Sequence, residues 1–176
     1  PLLKTWTMVA DNRQNRPHLP EAWCPFCPGP GKKVPEHYDV YAYDNDFPAL
    51  KLDPDEPNVT GSELYKVEKN YGKCEVILYS PDHNTTLPQL SIEHIYKLVN
   101  LWVERFNELS KDKKIKDIFP VENRGKEVGV TMLHPHGQLY AYSWLPLKIK
   151  VELDSCKEYY QEKGKGLICE MNKEEK

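Results

Sequence analysis

The sequence predicts an α+β domain, an antiparallel sheet carrying one long helix and a second helix packed on it. Three observations support this. Several segments alternate apolar and polar residues and are rich in Tyr, as half-buried strands are. One segment repeats apolar residues at helical spacing over five turns. The chain between strands leaves little room for βαβ crossovers, so consecutive strands pair antiparallel. The 15 Pro and 11 Tyr also favour strands joined by irregular loops over a helix bundle.

Residues 1–35 read as irregular, with short extended pieces. Tyr38 to Tyr43 is the first strand and stops at Asp44-Asn45-Asp46. Residues 51–62 hold acids, Pro and Gly61 and read as a surface loop. Cys74 to Tyr79 is the second strand, ended by Ser80-Pro81-Asp82. Ser91 then caps a long helix with an apolar stripe of Ile92, Ile95, Val99, Trp102, Phe106 and Leu109, expected to lie on the sheet. Lys111 to Lys114 is a solvated end. Ile115 to Val121 is the third strand, and Gly125 to Gly129 interrupts the pattern. Thr131 to Leu145 alternates again as the fourth. Ile149 to Lys163 is the second helix, stopped by Gly164, and the charged tail Met171 to Lys176 is expected to fray. Residues 1–164 therefore form one domain, and 165–176 a charged tail or linker.

Composition narrows the function. The 176 residues are 39% hydrophobic and 29% charged, as in a globular domain. No apolar run approaches the roughly 20 residues of a membrane span. A net charge of −3 argues against a dedicated nucleic-acid binder. Five cysteines is an odd number and no disulfide framework is expected. Cys74, Cys156 and Cys169 read as buried small hydrophobes. Residues 1–20 are polar and Pro-rich without a signal-peptide pattern, so a reducing, cytoplasmic setting is expected.

Cys24 and Cys27 are spaced as half of a zinc site or as a redox pair. A redox pair sits at the start of a helix, and Pro28, Gly29 and Pro30 forbid one here, so metal is preferred. Histidines must then complete the site. His83 follows the second strand and His134 lies on the fourth; His18, His37 and His94 read as solvated or capping, although spacing alone admits any of them.

His134-Pro135-His136-Gly137-Gln138 is the most informative stretch. On a strand His134, His136 and Gln138 project from one face. Three polar groups there are costly unless they meet a metal or a substrate. Pro135 lacks an N–H, so the segment should be an edge or an irregular strand start. Gly137 would let a ligand approach the backbone. A neutral imidazole is a competent nucleophile toward phosphorus, the Gln138 amide can donate to a phosphoryl oxygen, and a metal on His134 would orient His136.

This segment, preceded by Glu122-Asn123-Arg124-Gly125 and Gly129, resembles the active-site segment of the galactose-1-phosphate uridylyltransferases of the histidine-triad superfamily. Arg13-Gln14-Asn15-Arg16-Pro17, Cys24-Pro25-Phe26-Cys27, Asn45 to Leu50, and Ser80 to His83 with Leu87-Pro88 are similar to further motifs of that family, in its order. The resemblance implies a histidine-triad-like nucleotidyltransferase domain. It implies transfer of UMP from UDP-glucose to galactose 1-phosphate through a UMP-histidine, with His136 as nucleophile. It assigns zinc to Cys24, Cys27, His83 and His134. Substrate contacts fall to Arg13, Arg16, Asn45, Asp46, Asn123, Gly129, Val130, Thr131 and Gln138. It gives Glu152 to a second, iron-type site whose histidines lie in the family's second half, and it implies a homodimeric full-length enzyme without nucleic-acid or membrane partners. Val130-Thr131-Met132-Leu133 departs from the family's common Cys-Ser-Asn-Pro. Related readings are a nucleotide-sugar phosphorylase, a dinucleoside hydrolase, and a non-catalytic zinc-stabilised half-domain.

Overall fold

The computed structural model describes residues 2–10, 23–128, 130 and 132–176. Strands β1 (Tyr41–Asp44), β2 (Gly72–Leu78), β3 (Asp117–Val121) and β4 (His136–Tyr142) form one antiparallel sheet in the order β1-β2-β4-β3. Helix α1 (Ile92–Leu109) joins β2 to β3, and α2 (Leu147–Lys163) and α3 (Leu167–Glu174) follow β4. The expected α+β architecture is the one observed.

The alternation along β4 sets the two sides of the sheet. Gly137, Leu139 and Ala141 are buried on one side, while His136, Gln138, Tyr140 and Tyr142 are half-buried on the other. On the first side Ile77, Tyr79, Leu139 and Ala141 pack against Leu98 and Leu109 of α1. On the second, Val76, Leu78 and Met132 pack against Phe26 and Val34 of the N-terminal loops. Further along that side Tyr140, Tyr142 and Trp144 cover Ala49, Leu50 and Cys74. Burial of Cys74 is as expected; Cys156 is only half-buried and Cys169 is exposed, because α2 and α3 bury none of their residues. No disulfide joins any of the five cysteines.

Several boundaries differ from the expected ones for local reasons. The first strand begins at Tyr41, because Tyr38 leaves the ladder to donate its hydroxyl to the Phe26 carbonyl at 2.6 Å. The fourth begins at His136: Pro135 cannot donate, and its carbonyl instead accepts from Tyr79 N at 3.1 Å. The third begins at Asp117, since Ile115 N closes a turn on Asp112 O at 3.0 Å. Ser91 caps α1 as expected, accepting from His94 N at 3.2 Å, and Gly164, at φ 66°, ends α2 with its N–H on Tyr160 O. The main packing partner of α2 is α3. Residues 167–174 are helical, where fraying was expected from Met171 on.

The inward face of α1 also departs from the expected stripe. Leu98 and Leu109 are buried and Leu101 and Trp102 pack beside them, whereas Ile92, Val99 and Phe106 are 75%, 39% and 51% exposed. The cause is a charge. Glu75 of β2 points into the α1 layer at 2% exposure, and a carboxylate there needs a partner. Arg105 supplies it with a two-pronged bond, Nε to Oε2 at 2.9 Å and Nη2 to Oε1 at 2.7 Å. The helix is turned so that Arg105, Leu98, Leu101, Trp102 and Leu109 share the inner face. Arg105→Ala would strand the carboxylate and is expected to cost about 3–5 kcal/mol in urea unfolding. Arg105→Ala with Glu75→Gln should recover much of that loss.

Candidate active site and metal centre

Four donor side chains from three separate segments converge on the histidine side of the sheet. Cys24 and Cys27 come from the N-terminal turn, His83 from the loop after β2, and His134 from the approach to β4. One donor atom from each lies within 4.8 Å of all the others. Cys27 Sγ is 3.4 Å from His83 Nδ1 and 3.7 Å from His134 Nδ1. Tetrahedral zinc with its usual bond lengths sets sulfur and nitrogen ligands about 3.5 Å apart, so the donor set and its spacing fit a closed metal site.

The surroundings prepare these donors. The Nε2–H of His134 donates to the Ser80 carbonyl at 2.8 Å, which leaves Nδ1 unprotonated and facing the thiols. Burial, at 1% exposure, pushes the His134 imidazole down to about 4, so it is neutral at pH 7. Burial and then the neighbouring Cys24 push the Cys27 thiol up to about 11; a bound cation would reverse that. The Tyr38 hydroxyl lies 3.2 Å from both Ser80 O and His134 Nε2, joining the cysteine turn to the His83 loop. Lys32 Nζ donates to Cys24 O at 2.7 Å and lies 4.3 Å from the Trp23 ring centroid.

The next residue but one is the other candidate histidine. His136 donates Nδ1–H to the backbone carbonyl of His134 at 2.7 Å. That bond fixes the tautomer, with the proton on Nδ1 and Nε2 unprotonated. The His136 ring rests 6.1 Å from the Phe26 ring, and Phe26 in turn contacts Tyr43 at 5.6 Å. Tyr43 donates its hydroxyl to Asp46 Oδ2 at 2.7 Å, and Lys33 holds Asp46 Oδ1 at 2.8 Å. Asn45 shapes the same turn by accepting Phe47 N at 2.9 Å. The Asn45-Asp46 turn is thereby tied through aromatic rings to the histidine. Gln138 shares the His136 side, paired across strands with Val76 and Val121.

The other candidate positions divide. Asn123 is exposed in the loop after β3, and Val130 is half-buried with its N–H on Gly125 O at 3.4 Å. Arg13, Arg16, His18, Gly129 and Thr131 lie outside the described residues. Glu152 stands on exposed α2, 3.8 Å from Lys148 Nζ, and joins no cluster of metal donors among the described residues. Gly137 does not face the site. It faces α1, and a Cβ there would meet Tyr79 Oη at 2.2 Å and Val121 O at 3.0 Å, so packing against tyrosine requires glycine. His94 is no solvated residue: its Nε2 bonds the Tyr79 carbonyl at 2.7 Å. Tyr38 and Ser80, which meet His134, and Tyr140, which lies beside Gln138 on β4 and donates to its Oε1 at 2.8 Å, were not singled out from the sequence. Two of them act through a hydroxyl and one through its main chain, and only the many tyrosines hinted at this. A cleft of about 630 Å³ elsewhere, between Trp6, Val59, Lys69 and Trp144, contains no histidine or cysteine.

One metal ion per chain is expected by elemental analysis, lost in Cys27→Ser. Chelation should lower Tm by about 5 °C or more, since each kcal/mol moves Tm about 2–4 °C at this size. In the chelated protein, stability should fall as pH drops from about 6.5 toward about 4. The unfolded imidazole binds a proton in that window and the buried one does not. Urea midpoints across that range measure the slope.

Comparison with known proteins bears on this arrangement. The curated galactose-1-phosphate uridylyltransferase of Thermotoga maritima is 43% identical over 172 residues, covering 97% of this chain and 54% of that protein. A solved uridylyltransferase superposes with a TM-score of 0.84 at 30% identity, over 100% of this chain and 55% of the other. An Arabidopsis thaliana ADP-glucose phosphorylase with bound ADP-glucose superposes at 0.69 with 26% identity, over 93% of this chain and 53% of the other. The chain spans about half the length of the curated relatives it matches. No described helix is long and apolar enough to cross a membrane. The family model for the galactose-1-phosphate uridyl transferase N-terminal domain matches residues 2–146, and the chain belongs to that family.

Proposed function

We propose that this chain carries the nucleotidyl-transfer centre of a UDP-glucose–hexose-1-phosphate uridylyltransferase, with His136 as the nucleophile. The supporting observation is the bond from His136 Nδ1–H to the His134 carbonyl, which places the ring proton on Nδ1 and makes Nε2 the unprotonated, nucleophilic nitrogen. In the first step Nε2 forms a bond to the α-phosphorus of UDP-glucose. The bond from that phosphorus to the bridging oxygen breaks, and its electron pair leaves on glucose 1-phosphate. In the second, a phosphate oxygen of galactose 1-phosphate attacks the same phosphorus. The phosphorus–nitrogen bond breaks, its electrons return to Nε2, and UDP-galactose departs. No proton need move at Nε2 in either step, and the fixed Nδ1–H shares the positive charge of the uridylylated ring with the carbonyl.

Zinc is the ion this reading places on Cys24, Cys27, His83 and His134. Bound there it would be four-coordinate, without an open position, and would supply structure, not Lewis acidity. Arg13 and Arg16 would neutralise phosphate, and Gln138 would donate its amide to the transferred phosphoryl group. Asn45, Asp46, Asn123, Gly129, Val130 and Thr131 would line the nucleoside and phosphate site. The same reading takes the working enzyme as a cytoplasmic homodimer, with Glu152 contributing to a second, iron-type site.

Incubation with UDP-glucose should raise the intact mass by one uridylyl group, and His136→Asn should abolish the adduct. An adduct of equal yield in His136→Asn would overturn the assignment. Galactose 1-phosphate should discharge the adduct to UDP-galactose. Discharge by inorganic phosphate alone would point instead to phosphorolysis, the activity named for the Arabidopsis relative.

A further inference from the structure

The reading above, on which this inference rests, needs the Gln138 amide presented nitrogen-first to the phosphoryl group. An amide has two faces of opposite polarity, and rotation by half a turn would aim a carbonyl oxygen at an anion. The strands beside it give no help: the cross-strand partners of Gln138 are Val76 and Val121, which cannot hold an amide. Two residues along the same side of β4, the Tyr140 hydroxyl donates to Gln138 Oε1 at 2.8 Å. That phenol is itself held. Its ring stacks on Tyr142 with centroids 5.8 Å apart and planes 13° from parallel, and Tyr142 leans on Trp144 at 5.2 Å.

We propose that Tyr140 is a positioning residue for nucleotidyl transfer, fixing the Gln138 side chain so that its NH₂ group faces the phosphoryl position beside His136. Once Oε1 is engaged by a hydroxyl donor, both amide N–H groups point away from Tyr140. The aromatic ladder limits movement of the phenol, so the amide is oriented before substrate arrives, as electrostatic preorganisation requires. Tyr140 touches no substrate in this scheme and acts through Gln138.

The test is a double-mutant cycle on the full chain with UDP-glucose, using Tyr140→Phe, Gln138→Ala and the pair. Phenylalanine keeps the ring stack and removes only the oxygen. Tyr140→Phe is expected to slow formation of the uridylyl adduct roughly fivefold, the effect of one hydrogen bond, with little change in half-saturation by UDP-glucose. In the Gln138→Ala background it should slow it no further, which a merely structural role would not predict. Side-chain ¹⁵N NMR adds a readout independent of turnover. On addition of UDP, the Gln138 NH₂ pair should shift as one sharp set in the parent and broaden in Tyr140→Phe. Equal slowing in both backgrounds, or no slowing and an unchanged NH₂ spectrum in Tyr140→Phe, would overturn the proposal while leaving Gln138 in its role. An undiminished rate in Gln138→Ala would instead remove Gln138 from the site, and the proposal with it.

Discussion

The arrangement turns on one residue serving two neighbours. His134 sends its ring toward the thiols of Cys24 and Cys27 and its main-chain carbonyl toward His136. Whatever holds the His134 ring therefore also fixes the acceptor that sets the tautomer of His136. The Ser80 carbonyl takes part on the far side of the ring, and Tyr38 draws the cysteine turn to the same place. A metal on these donors would thus influence the His136 ring through a peptide unit. Burial of His134 at 1% exposure keeps that unit away from solvent competition for its hydrogen bonds.

Much of this was legible in the sequence because it follows from short-range rules. Two-residue alternation put His136 and Gln138 on one side, Ser91 announced the start of α1, and Gly164 announced the end of α2. The thiol pair followed by prolines excluded a helix and pointed to metal. What stayed hidden depends on contacts distant in sequence. The rotation of α1 follows from a charge on β2, 30 residues before Arg105. Ile92, Val99 and Phe106 have the right spacing for a buried stripe, yet a parallel stripe containing Leu98 and Arg105 faces the sheet. Gly137 illustrates the same limit. Its flexibility suggested a ligand, and only the tertiary approach of Tyr79 shows that space is the reason.

The charge balance of the chain is informative only locally. A net −3 describes the surface as a whole, while the described part of the site places Lys32 against the cysteine turn and Lys33 on Asp46. Among the described residues, one of these lysines is bound to a backbone carbonyl and the other to a carboxylate.

Because β4 presents His136 and Gln138 on one surface and core side chains on the other, its pairing with β2 is under a double constraint. Displacement of the ladder by a single residue would invert the strand, driving both the His136 imidazole and the Gln138 amide into the α1 layer and turning Leu139 outward. Such a misthreaded chain would lose its core and its histidine face in one step. Quality control that recognises exposed leucine would therefore also clear every chain whose two polar side chains have been turned inward.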